Sequence, residues 1–360
     1  MRDALSPDTR GLDPQALEQA VRNLLCECGG FNAGEDLVIC REDAGHGWYD
    51  ATVAEAVAQE AARLGLNVTL RDAPPPDAPQ PEEITALIAS EASIVYFARI
   101  GDQDRFGAAG AAGRRVMVYA RNAGDLASDF GRAPHGAMRA LKTAVDQVLQ
   151  SAERIEITCG NGTAMAGRVA PQPGNPADTT VRRFPLGVPA PVAAAGFSGR
   201  VALVDSLTPT GNRSYDPPVL PIAGLVFAVV EQGRIQGFEG PAPDVAAIEA
   251  HYAHVGDLFG IDPWVVHSWH AGLHPGCPFF PAEGRDRDYW SNTVFSNPRL
   301  LHFHTCGTAA PGEISWNLVD ASVTLDGVPL WQQGVMRPRN FAPLRESLAE
   351  HPALQALFPT

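Results

Sequence analysis

Between residues 14 and 151, short apolar runs alternate with amphipathic stretches, and this alternation leaves few folds open to the first part of the chain. Leu37–Cys40, Asn67–Leu70, Ser93–Phe97 and Val116–Tyr119 are β-rich runs. Around them, Ala16–Leu25, Val53–Leu64, Glu82–Ser90 and His135–Ser151 carry apolar residues at helical spacing. Strands this short and this continuously apolar are covered on both faces, so the pattern predicts a parallel sheet flanked by helices. The proline-spaced segment Ala73–Pro81 reads as an extended surface connection.

From residue 153 the pattern changes to strands joined by tight turns. Arg154–Thr158, Gly199–Val204, Leu225–Val230, Ile235–Phe238 and Ser322–Leu325 are strand-like, and Asp326-Gly327 marks a two-residue hairpin. Helical patterns interrupt at Asp244–Leu258 and Ala342–Ala356. The expected fold class is therefore an α/β N-terminal domain with a parallel sheet (1–152) and a strand-rich α+β C-terminal domain (153–360). Most of the site is expected on the second domain, with the pocket at the junction. A length of 360 residues, long for one core, agrees with two domains.

A formal charge of −14 argues against a nucleic-acid surface or an anionic membrane as partner, and no apolar run is long enough to span a bilayer. The six cysteines form no small-domain disulfide framework, which points to a reducing, cytoplasmic setting. A small-molecule substrate is the expected partner, with a homo-oligomer left open. The first strand runs into Arg41–Trp48 without the glycine spacing of a dinucleotide site. Gly107–Gly113 is glycine-rich but neither follows a clear strand nor opens a helix, and reads as a flexible loop.

Chemistry concentrates elsewhere. Five of the ten histidines, His267, His270, His274, His302 and His304, crowd one stretch with Cys277, Cys306 and Glu313 among and after them. Imidazole is the commonest protein metal ligand and moves protons near neutral pH. His302 and His304 are two apart, so on a strand they share a face while Phe303 points into core. Cys306 beside His304 is a candidate nucleophile, and Glu313 a candidate general base or carboxylate ligand. On a regular strand, His267 and His270 face opposite sides, and His270 is the one expected to line the pocket. Trp290, with Phe279 and Phe280, reads as an apolar wall for a flat ring. His46 and Trp48 follow the first strand, at the end of an open sheet where ligands usually bind, and are expected to contact substrate.

Several segments resemble the family of aminopeptidase T and 2,5-dihydroxypyridine 5,6-dioxygenase. They are Cys159–Val169, Phe184-Pro-Leu-Gly187 followed by Ser198–Val201, Leu273-His-Pro275, Asn292–Ser296 and the final hairpin from Val323 to Gly327. Leu273-His-Pro275 and Asn292–Ser296 are closer to the dioxygenase branch. The resemblance covers roughly residues 155–335. It implies a metal-dependent enzyme, with ferrous iron the first expectation and another divalent metal the alternative. The expected ligands are His274, His304 and Glu313, with His302 as the alternative imidazole. Where the aminopeptidases carry acidic ligands, this chain has Val188 and, near the Leu-His-Pro turn, Ser268 or a neighbour. The family's His-x-Asp is replaced by Glu313-Ile-Ser315. Three readings follow. The first is a ring-cleaving dioxygenase of a hydroxylated nitrogen heterocycle. The second is a hydrolase, either a divergent metallo-aminopeptidase or a metal-free Cys/Glu enzyme. The third is a small-ligand binding protein without metal.

Overall fold

The computed structural model describes residues 11–105, 113–169, 181–211, 213–309 and 311–358. The glycine-rich segment Gly107–Gly113 lies, apart from Gly113, outside the described residues. Two compact units emerge. The first takes in the described residues of Met1–Arg139 and Pro176–Leu186 together with Gly276–Pro278, and the second takes in the remainder. The division thus falls inside the helix His135–Ser151, upstream of residue 152, and the chain returns once to the first unit before Gly187.

In the first unit five strands lie in the order Asn67–Ala73, Asp36–Glu42, Ile94–Phe97, Arg115–Val118 and Val181–Phe184. All are parallel, with Val38 flanked by Thr69 and Ile94. Ile94–Phe97 and Arg115–Val118 are buried at every position, as double-sided cover requires. The helices Pro14–Arg22, Val53–Arg63 and Glu82–Ala89 match the amphipathic stretches of the sequence. The fifth strand is unanticipated. Its sequence, Val-Arg-Arg-Phe, lacks the apolar continuity that marks the others.

The second unit is built on one antiparallel sheet of twelve described strands. Phe197–Thr208, Glu313–Val319, Leu300–Cys306 and Val266–Ala271 are consecutive neighbours in it. Three hairpins close on residue pairs with positive φ, Gln232-Gly233 (48° and 70°), Asp326-Gly327 (50° and 83°) and Gln333-Gly334 (49° and 75°). Such turns match the twist of the strands they join. The expected C-terminal helix is two, Ala342–Glu350 and Pro352–Leu357, because Pro352 removes a backbone donor at the break.

The two faces of this sheet differ in kind. On one face, Trp269, Phe303 and Trp316 are fully buried. The Trp316 indole N–H donates to the Tyr252 hydroxyl at 2.7 Å, and that hydroxyl pairs with Thr305 at 2.5 Å. Tyr252 lies on the helix Ala242–Phe259 and stacks on Trp264. The opposite face carries the histidines. Among the described residues no helix is long and apolar enough to cross a membrane.

Candidate metal centre

Strand register assembles the site. Leu300–Cys306 runs between two partners, and its alternate residues meet polar groups on both. His302 stands opposite His270 on one side and Asn317 on the other. His304 stands between Ser268 and Ser315, and Cys306 opposite Glu313. The ring centroids of His270 and His302 are 3.9 Å apart, those of His302 and His304 4.7 Å, and those of His270 and His304 5.2 Å. One potential ligand atom from each of the three imidazoles lies within 4.8 Å of the others. His270 and His302 are buried, and the His304 side chain is only 12% exposed.

Glu313 belongs to this centre through His304. Its Oε1 lies 2.5 Å from His304 Nδ1 and accepts the Ser315 hydroxyl at 2.9 Å. The Ser315 hydroxyl pairs in turn with Thr210 at 3.3 Å. Tyr215 donates to the Glu313 backbone carbonyl at 2.7 Å, so the residue is anchored at both ends. Burial pushes the Glu313 carboxyl up. The charge of His304 and the donors His304, Thr210 and Ser315 outweigh it and hold the group below its ordinary value. His304 Nε2, by contrast, is buried and has no hydrogen-bond partner among the described residues.

The other sequence-predicted residues are distributed more widely. His274 is fully buried in the loop after Val266–Ala271, where its backbone N–H donates to Ser296 at 2.8 Å, and it is not one of the three converging imidazoles. His267 turns to the Cys306 carbonyl at 2.8 Å, next to a register shift between Val266 and Ser268. Burial pushes the Cys306 thiol up to about 12, so at neutral pH it is the protonated, weakly nucleophilic form. Trp290 is buried with Val294 and Leu300, against Phe279, Phe280 and Phe295, and its indole donates to the Phe280 carbonyl. Phe295, packed against this cluster, lies edge-on to His302 with ring centroids 6.4 Å apart. His46 is exposed on a short turn of the first unit. Trp48, of the same unit, is buried, with the Arg99 guanidinium 4.4 Å from its ring centre.

A row of neutral polar groups adjoins the imidazoles. Asn317 donates to the Thr208 hydroxyl at 2.9 Å, and Ser291 reaches the same hydroxyl at 3.4 Å. Ser291 belongs to the helix Arg287–Val294, whose Asp288 is fully buried. Burial pushes Asp288 up to about 6, although Arg213, Gly211 and Asn292 all donate to it. A carboxyl whose folded pKa exceeds its unfolded one stabilises the fold at low pH. That contribution is lost as pH rises through the folded value. Stability is therefore expected to fall between pH 3.8 and about 6. Asp288→Asn should flatten that slope by on the order of 3 kcal/mol. Urea denaturation at stepped pH checks this, and an unchanged slope refutes it.

No family model matches the sequence, and no curated protein matches it. Solved structures do. A 2,5-dihydroxypyridine dioxygenase from Pseudomonas putida KT2440 aligns over 89% of this chain and 96% of its own, with a TM-score of 0.57 at 13% identity. Wild-type AmpT, an aminopeptidase T from Thermus thermophilus, aligns over 89% and 99%, with a TM-score of 0.50 at 12% identity. At such identities the likeness is one of fold. The chain thus carries the fold shared by a 2,5-dihydroxypyridine dioxygenase and an aminopeptidase T, as the resemblance of its motifs implied.

Proposed function

We propose that this chain is a metal-dependent enzyme that holds one divalent ion at His270, His302 and His304 and acts on a small cyclic substrate. Its reaction, in this reading, is iron- and oxygen-dependent cleavage of a hydroxylated nitrogen heterocycle. The observation that carries the proposal is the convergence of three imidazoles on one sheet face, with His304 Nε2 buried and without a hydrogen-bond partner among the described residues. A ring nitrogen held by a carboxylate while the other is left for an ion is the usual arrangement of a ligating histidine. Imidazole donors suit iron, zinc, copper and nickel.

When bound, ferrous iron supplies the electrons that make dioxygen reactive. The residues do the rest. His270 and His302 hold the ion from adjacent strands. Glu313 keeps a proton on His304 Nδ1, leaving Nε2 as the donor. Phe295 shields the His302 side from water. Asn317, beside His302 and only partly buried, supplies an amide for a substrate hydroxyl or ring N–H.

One observation favours the hydrolase reading instead. Three neutral imidazoles leave the ion its full double charge, which acidifies a bound water strongly. A paired-metal peptidase is less well supported. Among the described residues the three imidazoles are the one such ligand group, and Val188, where the aminopeptidases carry an acid, is buried and apolar.

The test is anaerobic loading with ferrous ion, elemental analysis, and oxygen uptake with 2,5-dihydroxypyridine as probe. One ion per chain, with uptake coupled to loss of ring absorbance and absent in His304→Ala, is the expected result. Turnover of aminoacyl substrates by the zinc or cobalt protein without oxygen uptake establishes the hydrolase. A protein that takes up no ion overturns the metal centre and leaves the metal-free hydrolase and the metal-free binding protein as the remaining readings.

A further inference from the structure

We infer that Glu313 is a positioning residue of this centre and not one of its ligands, fixing His304 in a single tautomer with Nε2 toward the ion. The inference rests on the metal-centre reading above and adds the division of labour within it. The sequence alone makes Glu313 a candidate carboxylate ligand or general base, since it occupies nearly the place of a lost His-x-Asp. The geometry gives it another task.

Glu313 Oε1 is taken up twice, by His304 Nδ1 at 2.5 Å and by the Ser315 hydroxyl at 2.9 Å. Those two hydrogen bonds occupy Oε1 and point that oxygen at the imidazole ring. Nor is Glu313 among the residues whose ligand atoms converge; among the described residues those are the three imidazoles. The carboxylate sits one residue behind the donor set, where it holds the ring and makes Nε2 a better donor.

Its own position is fixed as tightly as a second layer can be. Ser315 stands next to His304 across the strands, so the register that places the imidazole also places the hydroxyl that restrains Glu313. Thr210 pairs with Ser315 at 3.3 Å, and Tyr215 holds the Glu313 carbonyl at 2.7 Å. Four side chains, Glu313, Ser315, Thr210 and Tyr215, thus converge on the orientation of one imidazole.

Cobalt(II) titration of the metal-free full-length protein, followed by visible absorption, separates ligand from positioning residue. In Glu313→Gln the affinity is expected to fall about 10–100-fold. At saturation its band positions and intensities should match the wild type, because the donor atoms are the same. Ser315→Ala with Thr210→Val keeps the carboxylate but loosens it, and should weaken binding by a smaller factor. That pair also serves if Glu313→Gln folds poorly, with thermal denaturation as the control.

A saturated Glu313→Gln spectrum altered in intensity makes Glu313 a ligand and overturns the inference, as does an unchanged affinity. Wild-type protein that binds no cobalt overturns the metal centre itself, and the inference with it. Cobalt binding with the expected Glu313 effect, but no oxygen uptake by the iron form, leaves the inference supported and removes only the proposed reaction.

Discussion

His302→Ala is expected to lower divalent-ion affinity by more than about 100-fold, a larger loss than removing a residue behind the ligands produces. His302 is the middle imidazole, with ring centres 3.9 Å from His270 and 4.7 Å from His304, so its loss leaves two donors on non-adjacent strand positions. Elemental analysis after dialysis against limiting metal gives the occupancy. His274→Ala is the matched control. His274 is fully buried yet outside the converging group, so that variant should retain one ion per chain. Full occupancy in His302→Ala, or its loss only in His274→Ala, would return the centre to the ligands expected from the sequence.

Trp316→Ala is expected to cost about 3–5 kcal/mol of stability, the range for emptying a buried tryptophan site. Trp316 is fully buried against Phe303, and its indole donates to Tyr252 at 2.7 Å. The substitution therefore opens a cavity and also takes a donor from a buried hydroxyl. Asn317→Ala, the next residue of that strand and on the other face, is only partly buried and should cost far less. Urea denaturation of both variants reads the contrast, and equal losses would mean that the two faces are not energetically distinct.

Much of the first unit is legible in the sequence because its strands are buried on both sides. Ile94–Phe97 and Arg115–Val118 read as apolar runs, and their observed bounds differ from the expected ones by a single residue. Val181–Phe184 is not legible, since its two arginines break the run and only pairing with Arg115–Val118 makes it a strand.

The site was half legible for a similar reason. The two-residue spacing of His302 and His304 sets their common face locally, whatever the partner strands do. That His270 joins them depends on the register between Val266–Ala271 and Leu300–Cys306, including a shift near His267, and this is fixed by tertiary pairing. Glu313 is legible by its chemistry alone. Only the cross-strand geometry puts its carboxylate against His304 Nδ1. Thr210 and Ser315 carry no sequence signal, because isolated hydroxyls near turns are too common to single out.

The alternation along Leu300–Cys306 and Glu313–Val319 has a consequence for how a site on this fold diverges. Trp316 ties the sheet to the helix Ala242–Phe259 through Tyr252, with Trp269 and Phe303 fully buried on the same face, while the imidazoles lie on the opposite face. The donors on the histidine face can therefore change over an unchanged aromatic layer, provided each buried charge keeps a partner. Between distant relatives that share such a sheet, donors should therefore be matched by strand register instead of by motif.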